Sequence, residues 1–122
     1  MHKPTDAELG ILNVLWKLGP STVRDVHAAL GESTGYTTTL KLLQNMTEKN
    51  LVVRDEGQRA HIYQAAYSQT DTQQHLVKNL LHKAFSGSAA QLVMQALSTQ
   101  RASPAELAEI RKLINNLSQK NK

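Results

Sequence analysis

The chain has 122 residues, 40% of them hydrophobic, which is enough for one core domain with a small appended element. Its net charge of +4 suits a polyanionic partner. It contains no cysteine, which excludes disulfides, thiolate metal sites and cysteine nucleophiles and makes a reducing cytoplasm the simplest location. The sequence has no run of about 18 apolar residues and no signal-peptide core near its start, so we expect no membrane insertion.

Two short helices are predicted first. Apolar residues recur with helical spacing from Asp6 to Lys17, and Gly19 follows as a stop signal. Thr5 or Asp6 is the expected N-cap, and Glu8 follows Thr5 at capping-box spacing. Trp16, the single tryptophan, lies on the apolar stripe of this helix and is predicted to belong to the core.

A second, shorter helix is predicted after Ser21, its candidate N-cap, and it ends at Gly31. A turn from Gly31 to Gly35 follows. The third helix begins at Tyr36 or Thr37 and ends near Asn50. These three helices occupy the first part of the chain.

The third helix is predicted to carry a polar outer face. At roughly 100° per residue, Leu40, Leu43 and Thr47 face inward, with Met46 near them. Hydroxyl and amide side chains can hydrogen-bond phosphates or base edges, and N–H groups at a helix start favour phosphate. The alternative is an ordinary solvated face. The candidate DNA-binding residues are Tyr36, Thr37, Thr38, Lys41, Gln44, Asn45 and, from the segment that follows, Arg59.

Two strands are predicted next, around Leu51 and Val53 and then around Ile62, separated by the polar segment Asp55–Arg59. Three helices followed by a hairpin are typical of a winged helix-turn-helix. A basic side chain at the hairpin tip can contact phosphate or the minor groove. The alternative is a solvated turn, since Asp55 and Glu56 would repel phosphate.

Three further helices are predicted from Asp71 onward, separated by the Ser86–Ser88 break and by a cap at Ser103, Pro104 and Glu106. Short helices with apolar stripes and no sheet cannot easily bury themselves, so pairing with a second copy is expected. We predict a mainly α fold with a small β-hairpin: a winged helix-turn-helix domain over residues 1–68 and a three-helix dimerisation region over residues 69–122. The candidate dimerisation residues are Leu76, Leu80, Leu92, Leu107, Ile110, Leu113, Ile114 and Leu117.

No catalytic constellation or glycine-rich phosphate loop is apparent in the sequence, so an enzyme is not predicted and no cofactor is expected. Asp71 and His75 have the spacing of two metal ligands but lack a third, so no metal site is predicted unless a dimer partner completes one.

The positive charge is unevenly distributed along the chain. Residues 1–67 hold seven Lys/Arg and seven Asp/Glu, whereas residues 68–122 hold seven and three. A DNA-binding prediction for the N-terminal part must therefore depend on where individual charges lie.

Several short motifs occur in an order and spacing that resemble the penicillinase-repressor family of winged-helix regulators, the BlaI/MecI type, over nearly the whole chain. They are Val14-Leu15-Trp16, Thr22-Val23-Arg24-Asp25-Val26, Thr38-Thr39-Leu40-Lys41-Leu42-Leu43, Glu48-Lys49-Asn50-Leu51-Val52, Ile62-Tyr63, Phe85-Ser86-Gly87-Ser88 and the segment from Glu106 to Ile114.

The resemblance implies a homodimeric transcriptional repressor of an inverted-repeat DNA operator, with recognition by the third helix from Tyr36 to Lys49. In antibiotic-responsive members a membrane sensor protease signals cleavage in the fifth-helix region. The matching bond here is Gln95–Ala96, where those members have Asn-Phe. Induction by a ligand or a metal is the alternative, although copper sensing through a cysteine cluster is excluded. A winged-helix protein-interaction module is the competing class of function.

Overall fold

The structure is a computed structural model that describes residues 1–31 and 33–121. Of the predicted turn from Gly31 to Gly35, Glu32 lies outside the described residues. The contacts of the chain group into two compact units, Met1–Lys78 and Asn79–Lys122. The domain boundary predicted between residues 68 and 69 remains a prediction.

Within those residues the order of elements is three helices, a hairpin and three more helices, which confirms the predicted fold class. The helices and strands are α1 (Asp6–Leu18), α2 (Val23–Leu30), α3 (Tyr36–Glu48), β1 (Val52–Asp55), β2 (Ile62–Ala65), α4 (Gln69–Ala84), α5 (Ala89–Thr99) and α6 (Pro104–Lys120).

The first helix begins and ends where its sequence predicts. The Thr5 hydroxyl accepts from the Glu8 N–H at 3.2 Å, and the Glu8 carboxylate accepts from the Thr5 N–H at 2.9 Å, which completes the capping box. Gly19 ends the helix with φ 82°, in the left-handed region that favours glycine.

The predicted N-cap of α2 is wrong by one residue. Thr22 is the cap, and its hydroxyl accepts from the Asp25 N–H at 3.1 Å. Ser21 instead forms a β-bridge with Tyr63, with backbone N–O distances of 2.9 and 2.8 Å in the two directions. Because the bridge engages the extended backbone of Ser21, the helix can begin only after it.

The core lies between the first three helices and the hairpin. Its buried apolar members are Ile11, Leu12, Leu15, Val23, Val26, Leu43, Met46, Leu51, Val52 and Tyr63. Trp16 packs against this core but is only partly buried, and its indole N–H donates to the Tyr67 carbonyl at 3.1 Å. The single tryptophan therefore also ties α1 to the segment after β2.

The hairpin is antiparallel, with Val52 opposite Ala65 and Asp55 opposite Ile62. Asn50, with φ 62°, turns the chain out of α3 and into β1. Residues 56–61 form the tip of the hairpin, which is the wing of the fold.

Residues 79–84 at the end of α4 belong to the second unit with α5 and α6. α4 begins at Gln69, two residues before the predicted start, because the Ser68 hydroxyl accepts from the Asp71 N–H at 3.0 Å. The capping box of Ser103 and Glu106 with Pro104 in the first turn of α6 is confirmed. From residue 79 to residue 121 no side chain is fully buried. None of the helices in the described part of the chain is both long and apolar enough to cross a bilayer.

An ion pair between a buried carboxylate and a partly exposed lysine joins α1 to the end of α3. Glu8 is 1% exposed, and its carboxylate oxygens accept from Lys49 Nζ at 3.0 and 3.2 Å. Burial alone would raise the pKa of the Glu8 carboxyl, but the Thr5 backbone N–H and the Lys49 ammonium favour the charged form. The combined effect of these two donors outweighs the effect of burial, so the pKa of Glu8 lies below its ordinary value of 4.5.

The lowered pKa predicts how stability depends on pH. The contribution of Glu8 to the free energy of unfolding is complete above its ordinary pKa of 4.5 and is lost as the pH falls through the lowered folded-state value. At neutral pH, Glu8→Gln should cost about 1–3 kcal/mol, because it removes charge-assisted hydrogen bonds. Urea unfolding of both proteins across the acid range measures this difference.

The difference between the two proteins should shrink in acid. Glu109→Gln, which removes an exposed carboxylate from α6, is the control and should leave the unfolding free energy nearly unchanged. A cost of Glu8→Gln that stays constant through the acid range would contradict the assignment.

Candidate nucleic-acid interface

The third helix exposes a continuous polar face. Leu43 and Met46 are buried and Leu40 is partly buried, as the spacing predicts. Thr47 is partly buried, and its hydroxyl donates to the Leu43 carbonyl at 2.8 Å, which satisfies it without an outside partner. The exposed residues are Tyr36, Thr37, Thr38, Lys41, Gln44, Asn45 and Glu48.

Thr39 separates this face from the core. It is fully buried, and its hydroxyl donates to the Gly35 carbonyl at 3.2 Å. Of three consecutive threonines, two therefore face outward and one faces the core, a division that follows from the helical period of about 3.6 residues.

The start of α3 can receive an anion. Its N-cap is Gly35, which has no side chain to accept from the first-turn N–H groups, and no acidic residue lies in that turn. Such free N–H groups carry the positive end of the helix dipole. A backbone phosphate is the kind of anion that fits beside Thr37 and Thr38.

A groove of about 580 Å³ runs between the start of α2, the start of α3 and the wing. It brings Tyr36 and Arg59 together, two of the residues selected from the sequence. It also contains Arg24 and His61, which sequence reasoning missed. Its lining is Thr22, Val23, Arg24, Tyr36, Leu40, Arg59, Ala60, His61 and Tyr63, with two arginines and no carboxylate.

The exposed face of α3 and the groove are adjacent but distinct. Lys41, Gln44 and Asn45 are exposed but do not line the groove. Arg24 had one signal in the sequence, since it follows Val23 in α2 and therefore points away from the stripe that contains Val26. The groove itself depends on the bridge between Ser21 and Tyr63, which no local pattern predicts.

The acidic groups of the wing are engaged within the wing. The Asp55 carboxylate accepts from the Gly57 N–H at 2.8 Å, and Glu56 forms an ion pair with Arg54. Arg59 has exposed surface at the tip. The Arg54 guanidinium therefore offsets the charge of Glu56, whereas the Gly57 N–H only orients the Asp55 carboxylate, which keeps its negative charge.

An aromatic contact orients the first residue of α3. The rings of His27 and Tyr36 meet edge to face, with centroids 5.6 Å apart and planes at 75°. The His27 Nδ1 atom is buried and has no hydrogen-bond partner among the residues described. Tyr36 remains 48% exposed, so α2 supports its ring while leaving its outer edge free for contact.

The residues selected for dimerisation differ in exposure. Leu80, Leu107, Leu113, Ile114 and Leu117 are exposed, whereas Leu76, Leu92 and Ile110 are partly buried. Leu76 belongs to the first unit and the other seven to the second. The exposed apolar surface of α6 has the spacing of a helix-pairing stripe.

The bond selected for cleavage lies inside a helix. Gln95 and Ala96 are exposed members of α5, and the Thr99 hydroxyl donates to the Gln95 carbonyl at 3.0 Å. The Ala96 carbonyl accepts from the Gln100 N–H at 3.2 Å. The peptide group is thus reachable from solvent but held in helical geometry.

Comparison with known proteins agrees with this architecture. The family model described as penicillinase repressor matches residues 4–116. Two curated relatives, both the transcriptional regulator BlaI of Mycobacterium tuberculosis strains, are 34% identical over 82 residues, which is 65% of this chain and 59% of each relative. The match thus spans less than two thirds of the length of these relatives.

A solved structure shows the same fold. It is a MarR family protein from Bacillus stearothermophilus, with a TM-score of 0.53, 16% identity and coverage of 98% of this chain and 76% of that one. The fold, the order of the motifs and a family match over nearly the whole length agree. The chain belongs to the penicillinase repressor family of winged-helix transcriptional regulators.

Proposed function

We propose that this chain is a transcriptional repressor that binds double-stranded DNA as a homodimer on an inverted-repeat operator. The observation that supports it most is the combination of an exposed polar face on α3 with an adjacent groove that contains two arginines and no carboxylate. Such a combination suits a partner that offers base edges and phosphates side by side.

The two parts of the interface have different tasks in this proposal. Lys41, Gln44 and Asn45 lie along the exposed face of α3 and would contact base edges in the major groove. Arg24 and Arg59 face the groove between α2 and the wing and would contact phosphates. Base contacts would then determine the operator sequence, while phosphate contacts would supply affinity that depends on salt.

The absence of fully buried residues in the described part of the second unit supports the proposed homodimer. No residue described there is fully buried, and five of its selected apolar side chains are exposed. A second copy would cover them and place a second α3 on the next half-site, about 34–36 Å away along the duplex. Binding to two half-sites makes operator affinity depend steeply on dimer strength. Repression would then follow from occlusion of the promoter.

Induction has two candidate routes. Cleavage at Gln95–Ala96 after a signal from a membrane sensor protease would remove α6, but α5 must first unwind locally because the Gln95 carbonyl is hydrogen-bonded. Binding of a ligand or a metal ion that weakens the dimer is the alternative. Mass spectrometry of the repressor before and after induction in cells distinguishes a cleaved chain from an intact one.

The function is tested by isolating genomic DNA fragments retained by the full chain and sequencing them. We expect inverted repeats, and a log–log slope of affinity against salt of about −5 to −9, which corresponds to roughly six to ten phosphate contacts. Fragments with no common sequence, or binding insensitive to salt, would contradict the proposal and favour a protein-interaction module.

Lys41→Ala is expected to weaken operator binding by about 1–3 kcal/mol per half-site, the range for a lost base contact. It should leave the sedimentation coefficient unchanged, because Lys41 lies outside the second unit. Lys17→Ala is the matched control, since Lys17 is an exposed lysine on α1. A gel-shift titration in which both variants bind like the parent protein would refute the role of Lys41.

Arg24→Ala should act differently from Lys41→Ala. We expect it to weaken binding to operator and scrambled duplexes by a similar factor and to reduce the salt slope by about two in a dimer, one contact per protomer. Fluorescence anisotropy at several salt concentrations measures both quantities. A loss confined to the operator duplex would assign Arg24 to base reading instead.

Leu107→Asp combined with Ile114→Asp is expected to give monomers, because two buried charges per protomer would have to enter the proposed interface. Operator affinity should fall with dimerisation, while the winged helix remains folded. Asn115→Asp with Asn116→Asp adds the same charge to α6 without removing apolar surface and is the control. Sedimentation that still shows a dimer for the first variant would refute the pairing surface.

A further inference from the structure

The corner between α3 and the wing is held by a side chain from α1. Lys49 is the C-cap of α3, Asn50 turns the chain with φ 62°, and β1 begins at Val52. The Glu8 carboxylate contacts Lys49 Nζ through both oxygens, at 3.0 and 3.2 Å. The ion pair therefore lies where the chain leaves the helix with the exposed polar face and enters the wing.

The buried carboxylate makes this pair a constraint on the corner, although the Lys49 side chain is 37% exposed. Glu8 is 1% exposed and also accepts from the Thr5 N–H, so its carboxylate has a fixed set of donors. A buried carboxylate without donors is costly, which holds Lys49 in one geometry. For an ion pair with one buried member, fixing one arrangement among several is a better supported role than adding net stability over apolar packing.

Backbone hydrogen bonds tie this corner both to α3 and to the segment after β2. A change at the corner would therefore alter the angle between α3 and the wing. The Leu51 N–H donates to the Met46 carbonyl at 2.9 Å, and the Ala66 N–H donates to the Leu51 carbonyl at 3.0 Å. Lys41 precedes Lys49 on the helix by about 12 Å of axial rise. A four-residue strand is about 13 Å long, so a rotation of about 10° at the corner would displace the wing tip by roughly 2 Å.

We propose that the Glu8–Lys49 ion pair is a positioning element that sets the angle between α3 and the wing, so that Lys41 and Arg59 reach one duplex together. Its purpose rests on the proposed DNA-binding function, but the angle is a property of the free protein. The two can therefore be tested separately.

The angle is measured by spin-label distances in the full chain without DNA. Because the sequence has no cysteine, Gln44→Cys and Gln58→Cys place one label on α3 and one on the wing. An excess of unlabelled chain removes distances between protomers. We expect one narrow distance distribution in the parent protein, and a shift or broadening of about 2 Å or more in Glu8→Gln and Lys49→Gln.

Two variants serve as controls for the distance measurement. Lys49→Arg keeps the ion pair and should keep the narrow distribution, while Lys17→Gln removes an exposed lysine charge elsewhere in the same unit and should have no effect. Circular dichroism confirms that each protein is folded at the temperature used. An unchanged distribution in folded Glu8→Gln and Lys49→Gln would overturn the proposal.

The consequence for DNA binding is measured by a double-mutant cycle on the selected operator. Glu8→Gln should weaken binding by about tenfold, the equivalent of one charge-assisted contact. Arg59→Ala should then cost a smaller factor in the Glu8→Gln background than in the parent, because the wing contact is already impaired. Equal factors in both backgrounds would show that the ion pair is not coupled to the wing contact and would overturn its positioning role in DNA binding.

The two experiments separate the failure of each hypothesis. If the parent protein selects no operator while the label distances respond as expected, the DNA-binding function is wrong and the positioning role stands. If the operator is bound and the distances do not respond, the positioning role is wrong and the function stands.

Discussion

Two backbone hydrogen bonds between Ser21 and Tyr63 hold the wing against the start of α2, and the candidate interface depends on them. Ser21 immediately precedes the capped first turn of α2 that contains Arg24, and Tyr63 lies in the strand that leads back from Arg59 and His61. The hairpin has only two strands, so its stability depends on this bridge together with the packing of Val52 and Tyr63 into the core. With the bridge in place, charges from two distant segments line one groove.

The same arrangement explains how a formally neutral half of the chain can attract a polyanion. Two of its carboxylates are paired with cations, Glu8 with Lys49 and Glu56 with Arg54, and no carboxylate lines the groove that contains Arg24 and Arg59. The cations of the interface, by contrast, face outward from α2, α3 and the wing. At physiological salt, charges act over about 8 Å, so what a phosphate meets is this local sign and not the net charge.

Local signals predicted most of this fold, and long-range contacts account for what they missed. The capping boxes at Thr5 and Ser103 and the inward Leu43 and Met46 each depend on residues within one or two helical turns, and all are confirmed. Ser21 was expected to cap α2 because its type and position suit a cap; a partner some forty residues later along the chain prevents it. The sequence does not predict the roles of Arg24 and His61, because only the long-range contact between the wing and α2 brings them into one groove with Arg59.

The second unit leaves much of its apolar surface exposed to solvent. An element of about forty residues rarely supplies a sufficient core by itself, and here Leu113, Ile114 and Leu117 remain about half exposed on α6. If a second copy covers them, ordering of this unit and association become one equilibrium that depends on concentration. A signal that acts anywhere on that surface then changes operator occupancy without contacting the winged helix. The fold thus allows DNA recognition and the response to a regulatory signal to lie on separate surfaces. The two surfaces are linked through the strength of the dimer.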